Sequence, residues 1–161
     1  MLLRFVAIAG AVASLVPFGD AGAQTATQVV RFEVNAVNQI GVSGAPAPLV
    51  INTATPGSAP ASITAGGTSY AITTNEANKK ITASVDQPLP AGVTLEVQLA
   101  APSGAASANY VSLGTSSADL VTGISSISAA SLPITYRLSA TPAVQMSAQA
   151  RTVTFTIVSG T

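Results

Sequence analysis

The sequence predicts an all-β protein, an antiparallel immunoglobulin-like β-sandwich of about seven to nine strands. Three observations lead there. Apolar and polar residues alternate over much of the chain, as in strands with one buried face. Clusters rich in Gly, Pro, Ser and Asn recur at short intervals between the alternating stretches. No long segment carries the helical apolar period, and the Ala-rich stretch 100–108 is interrupted by Pro102 and Gly104.

Taken in order, residues 1–23 read as a secretory signal. Arg4 supplies a basic start, 5–18 form an apolar run, and Ala21-Gly22-Ala23 gives the small-x-small pattern of a cleavage site, placing the mature start at Gln24. Residues 24–38 form an N-terminal alternating strand in which Val30, Phe32, Val34 and Ala36 share one face against Arg31, Glu33 and Asn35. Residues 39–161 form the sandwich domain. Its clearest strands set Val93, Leu95, Val97 and Leu99 against Thr94, Glu96 and Gln98. Ile134, Tyr136, Leu138 and Ala140 oppose Thr135, Arg137 and Ser139 in the same way, and Val153, Phe155 and Ile157 oppose Thr152, Thr154 and Thr156. Shorter strands are expected at 40–42, 49–52, 69–73, 80–85, 110–113 and 120–124. Turns are expected at 44–48, 55–60, Gly66-Gly67, 86–92 and 102–108. The link Thr74-Asn75-Glu76-Ala77-Asn78-Lys79 reads as a hairpin loop.

Composition excludes most chemistry. The chain has no His, Cys or Trp, and 6 basic residues balance 6 acidic ones. Without His or Cys the common nucleophile–base pairs and the usual zinc, iron and copper ligand sets are missing, so no enzyme, metal site or cofactor is expected. A Ser paired with Lys79 or Lys80 and calcium ligation by Asn75, Glu76 and Asn78 are weak alternatives, because adjacent lysines beside a turn read as solvated and no calcium-loop spacing is present. Charges are sparse and evenly mixed, which gives no footprint for nucleic acid. No segment after the signal reaches the roughly 20 apolar residues of a membrane helix. Short strands and few aromatics argue against an outer-membrane barrel. Tyr110 is the freest aromatic for a ligand platform. So few charges on an exported chain predict association, since dispersion usually rests on net charge.

The order of features resembles a known family. A cysteine-free exported chain opens on the alternating segment 24–38, followed by Gln39-Ile40-Gly41-Val42. It passes through Thr74-Asn75-Glu76-Ala77-Asn78-Lys79-Lys80 and ends on the strand 151–158. This is similar to the major subunits of alternate-chaperone (class 5) fimbriae and, more loosely, to spore coat U type pilin-like proteins. The resemblance implies an incomplete sandwich whose missing strand comes from the next subunit's N-terminal extension, with Val30, Phe32, Val34 and Ala36 entering the neighbour's groove. It implies a homo-polymer as partner, together with a periplasmic chaperone and an outer-membrane assembly protein, and an extracellular or cell-surface location. A further likeness, of the terminal Thr-Val-Thr-Phe-Thr-Ile strand to WxL cell-wall-binding domains, lacks the defining Trp.

The function expected is therefore a structural subunit of an extracellular fibre, pilus or surface layer. The alternative is a monomeric secreted sandwich that binds a cell-surface glycan or protein. Residues 28–37 suit an ordinary first strand of their own domain as well as a donor strand, because both require the same alternation.

Overall fold

The computed structural model describes residues 23–145 and 148–160. The predicted signal segment lies almost wholly outside the described residues. The chain divides into an N-terminal unit, Met1–Glu33, and a body, Val34–Thr161. Residues 23–33 of the first unit contain no strand, and their side chains are exposed.

The body is a β-sandwich of two antiparallel sheets. Its strands are β1 (Asn38–Ser43), β2 (Ile63–Thr74), β3 (Lys79–Val85), β4 (Val93–Leu99), β5 (Ala106–Ser107), β6 (Val111–Ser112), β7 (Ala118–Ile124), β8 (Ile127–Ala140) and β9 (Val153–Ser159). One sheet has the order β1-β2-β8-β4-β6 and the other β5-β7-β3-β9. The inner faces meet in a core of Tyr70, Ile72, Ile81, Val97, Leu99, Leu120, Val121, Ile124 and Ile134. These residues alternate with exposed or half-buried polar ones, so period-2 patterning is what brings the sheets face to face.

The order of strands matches expectation, with instructive differences. Val30 to Ala36 form no strand, and β1 begins only at Asn38. Alternation supplies sidedness, but a strand also needs a paired backbone, and these residues lack one here. Residues 49–52 likewise form no strand, and nearby only Ala54 and Pro60 make an isolated bridge. Tyr110 lies just outside the two-residue β6. Gly66-Gly67 lie inside β2, where the register shifts between Ala65 and Thr68. The pair thus marks a bulge and not the expected chain reversal. Residues 106–107, expected in a loop, form β5.

The segment Thr74 to Lys79 is not a hairpin. β2 and β3 belong to different sheets, so this link crosses the end of the sandwich. Asn78 sits there at φ 50, a left-handed conformation that Asn tolerates.

Candidate functional site

The two sides of the sandwich end differently. On one side the outermost strands are β5 and β6, each of two residues. On the other they are β1, paired only with β2, and β9, paired only with β3. Short strands are one device by which proteins blunt sheet edges; others are Lys, Pro or a bulge on the edge. β9 uses none of these. It runs seven residues in unbroken register with β3, from Val85↔Val153 to Lys79↔Ser159, and its outward side chains are Thr154 and Thr156.

The inward side chains of β9 are Val153, Phe155 and Ile157, which alternation predicts to be buried. They are only half-buried, as are Val93 and Leu95 on β4, whereas Val97 and Leu99 are fully enclosed. Val93, Leu95, Val153 and Phe155 line a groove of about 1270 Å³ between the sheets. Its walls include Val42 of β1, Leu49 and Ile51 of the connecting segment, Leu95, Tyr136, Leu138, Val153 and Phe155. The lining is largely apolar, with Arg151 among its polar members. Leu49 to Ile51 thus serve as groove wall in place of the expected strand. The groove lies toward the end of the sandwich where β3 ends and β9 begins, with Val93, Ala140 and Val153 among its lining residues.

The residues predicted to engage a neighbour are exposed. Val30 is 72 %, Phe32 89 % and Val34 80 % accessible, and Ala36 is exposed as well. Val30 and Phe32 belong to the N-terminal unit, while Val34 and Ala36 open the body. The structure brings none of the four together into a packed cluster. A Phe left in water forgoes roughly 1.5–3 kcal/mol available on burial, so this arm stores an unused apolar face.

Where the body begins, Asn75 holds the chain. Its Oδ1 accepts from the Val37 N–H at 2.8 Å, its Nδ2 donates to the Asn35 carbonyl at 2.8 Å, and its own N–H donates to the Val37 carbonyl at 3.2 Å. A side-chain amide thereby does for residues 35–37 what the β2 backbone does for β1, continuing the ladder whose first pair is Asn38↔Thr74. Around it, Asn38 donates its amide to Glu76 and Lys79 Nζ lies 2.8 Å from Glu76 Oε2. The Asn38 bond, then the Lys79 bond, hold the Glu76 carboxyl below the usual carboxylate range. Asn75 and Glu76, weighed as calcium ligands, are thus committed to chain-holding bonds. The Asn78 N–H donates to Ser125 Oγ at 3.0 Å.

The remaining candidates are also engaged. Lys80 pairs with Asp119 at 3.0 Å and Lys79 with Glu76, so each lysine considered as a base has a carboxylate partner. Tyr110 has the Arg137 guanidinium carbon 4.1 Å from its ring centroid, a cation–π contact that covers one ring face. Among the described residues no three His, Cys, Asp or Glu converge as a metal site, and no helix is long and apolar enough to cross a membrane.

Sequence reasoning missed which residues line the groove and missed the Asn75 bonds. Half of the signal for the groove was present in the alternation of β9; its openness depends on strand order. Compared with known proteins, the chain matches no family model, no curated sequence and no solved structure.

Proposed function

We propose that this chain is an exported structural subunit of an extracellular fibre or surface layer, assembled by strand addition between copies. The observation that carries the reading is β9, a seven-residue edge without protection, fronting an apolar groove in a chain that also exposes an alternating apolar arm. In the assembled form the arm of one copy pairs its backbone with β9 of the next. Val30, Phe32 and Val34 then meet Val153, Phe155 and Ile157, three alternate residues against three, and Ala36 lies at the root. The completed immunoglobulin-like sandwich supplies the groove with the strand it lacks.

Two further features support this. The arm leads into β1 at Asn38, beside the Thr74 to Lys79 link, whereas the groove lies toward the opposite end of the body, around Val93 and Val153. Donor and acceptor surfaces are therefore different, a heterologous pairing that gives open-ended polymers where its rotation does not close a ring. Sparse, balanced charge also does little to oppose association. The glycan-binding alternative draws no such support, since Tyr110 has a ring face taken by Arg137.

The test is Phe32→Asp, made in the exported chain and followed by size-exclusion chromatography, electron microscopy and thermal melting. A carboxylate forced into an apolar groove without a partner is costly. Assembly is expected to fail while the melting temperature of the monomer stays unchanged. An unmodified protein that stays monomeric at all concentrations, with no fibres at the cell surface or in the medium, would end the reading.

A further inference from the structure

The strand-addition reading leaves open why an arm that fits the groove does not fill the groove of its own domain. We propose that Asn75 prevents this closure and so commits the arm to a second copy; the inference rests on the proposed function above.

β1 begins at Asn38, opposite Thr74, and the link from Thr74 leads to Lys79, which lies opposite Ser159. The start of β1 and the end of β9 therefore share one end of the sandwich. For the arm to lie along its own β9 while still joined to β1, the chain must reverse within residues 34–38 and cross from one sheet to the other. The turn-forming residues of that stretch, Asn35 and Asn38, are both already bonded, the Asn35 carbonyl to Asn75 and the Asn38 side chain to Glu76. Three bonds from Asn75 hold it in place. The Asn35 carbonyl and the Val37 N–H, which flank Ala36 as the two groups of one ladder step, both face the Asn75 amide, and the Val37 carbonyl accepts from the Asn75 N–H. Reversal would require all three to break. An arm arriving from another copy disturbs none of them, so between molecules the same apolar contacts are reached with these bonds intact.

Asn75 is thus a positioning residue, a selector between a self-closed monomer and a polymer. Its environment suits the role, because Asn38 and Thr74 beside it are tied together, Thr74 Oγ1 donating to Asn38 Oδ1 at 2.8 Å. Loss of the Asn75 side chain would therefore remove two of the three bonds on residues 35–37, keep the backbone bond to the Val37 carbonyl and leave β1 in register.

The chain contains no cysteine, so every disulfide in a test protein is a designed one. Glu33→Cys is combined with Thr154→Cys and, separately, with Thr156→Cys, outward positions of β9, in the full exported chain. The products are read on non-reducing gels with Asn75 intact, with Asn75→Ala and with Asn75→Asp, which keeps the acceptor for Val37 but loses the donor to Asn35. With Asn75 intact the disulfides are expected to join different molecules into a ladder. With Asn75→Ala the ladder is expected to fall several-fold in favour of a fast-running monomer closed on itself, and Asn75→Asp to fall between. A thermal melt of each variant shows that the body remains folded, and Asn75→Asp carries the comparison if Asn75→Ala does not fold. Closed monomers with Asn75 intact, or ladders unchanged in both variants, would overturn the role of Asn75. Unchanged ladders would leave strand addition standing, whereas a native chain that gives no disulfide of either kind and stays monomeric would overturn both.

Discussion

Arg137 of β8 and Glu96 of β4 stand directly opposite each other in the sheet, the Arg137 Nε–H donating to Glu96 Oε2 at 2.6 Å. The same guanidinium lies over the Tyr110 ring. One cation thereby ties β4, β8 and the start of β6 together on the outer face. Its hydrogen bond holds the Glu96 carboxyl below the usual range, and Glu96 in turn raises the Arg137 pKa.

The sign of the pH dependence follows. A carboxyl with a lowered folded pKa contributes stability that is present above its unfolded value, about 4.3 for Glu, and is lost as pH falls through the folded value. Glu96→Gln is expected to flatten this acid limb and to cause a small loss of stability at neutral pH, as for other partly exposed pairs. Urea titrations from neutral pH downward, with and without the substitution, measure it.

Leu99 and Phe155 separate core from groove. Leu99 is fully enclosed, and Leu99→Ala is expected to cost about 2–5 kcal/mol in the isolated monomer. Phe155 is half-buried on the groove wall, so Phe155→Ala is expected to cost less than that in the monomer and to weaken assembly more than Leu99→Ala does. Denaturant unfolding of the monomer and the polymer yield at matched stability distinguish the two effects.

Burial pushes the Tyr70 hydroxyl up to about 12, and it donates to the Ala100 carbonyl at 2.5 Å. A raised folded pKa means full stability below the unfolded value of about 10 and loss as pH climbs from there through the folded value. The protein is expected to weaken between about pH 10 and 12, with Tyr136, also raised by burial, adding to the effect. Tyr70→Phe is expected to cost about 0.5–1.5 kcal/mol at neutral pH and to shift this alkaline limb upward. Ultraviolet titration alongside thermal melting checks both.

Gly92 adopts φ +83 between β4 and the loop before it, and an added Cβ there would run into Thr141 Oγ1 and press on Val144. Gly92→Ala is therefore expected to destabilise by more than about 1 kcal/mol and to disturb the groove wall at Val93, Thr141 and Val144. Thermal melting reads the first effect and polymer yield the second.

The mature protein is expected to begin at Gln24. Intact-mass measurement of exported material decides it, and a retained 1–23 segment would remove the basis for export.

Alternation made the sandwich legible in advance because side-chain facing in a strand is a local property. Val97 and Leu99 are buried, and Thr154 and Thr156 point outward, as their spacing demands. What alternation cannot supply is a partner. The same period appears at Val30 to Ala36, where no strand forms, and at Val153 to Ile157, where one does, because only β3 stands ready to pair. Gly66-Gly67 read as a turn, since bulge and turn ask for the same backbone freedom, and the surrounding pairing chooses between them. The Asn75 bonds join residues 38 and 40 positions apart, a relationship set by the β1–β2 register that no local motif announces.

The two-residue strands β5 and β6 bear on the shape of any assembly. An edge that short offers a neighbour too few backbone groups to bond, so that side of each subunit stays inert. On the proposed strand addition each copy would then have a valence of two, one arm given and one groove filled. Growth on those terms is linear, without branches, and proceeds from chemically distinct ends, one of which presents an empty groove and the other an unused arm.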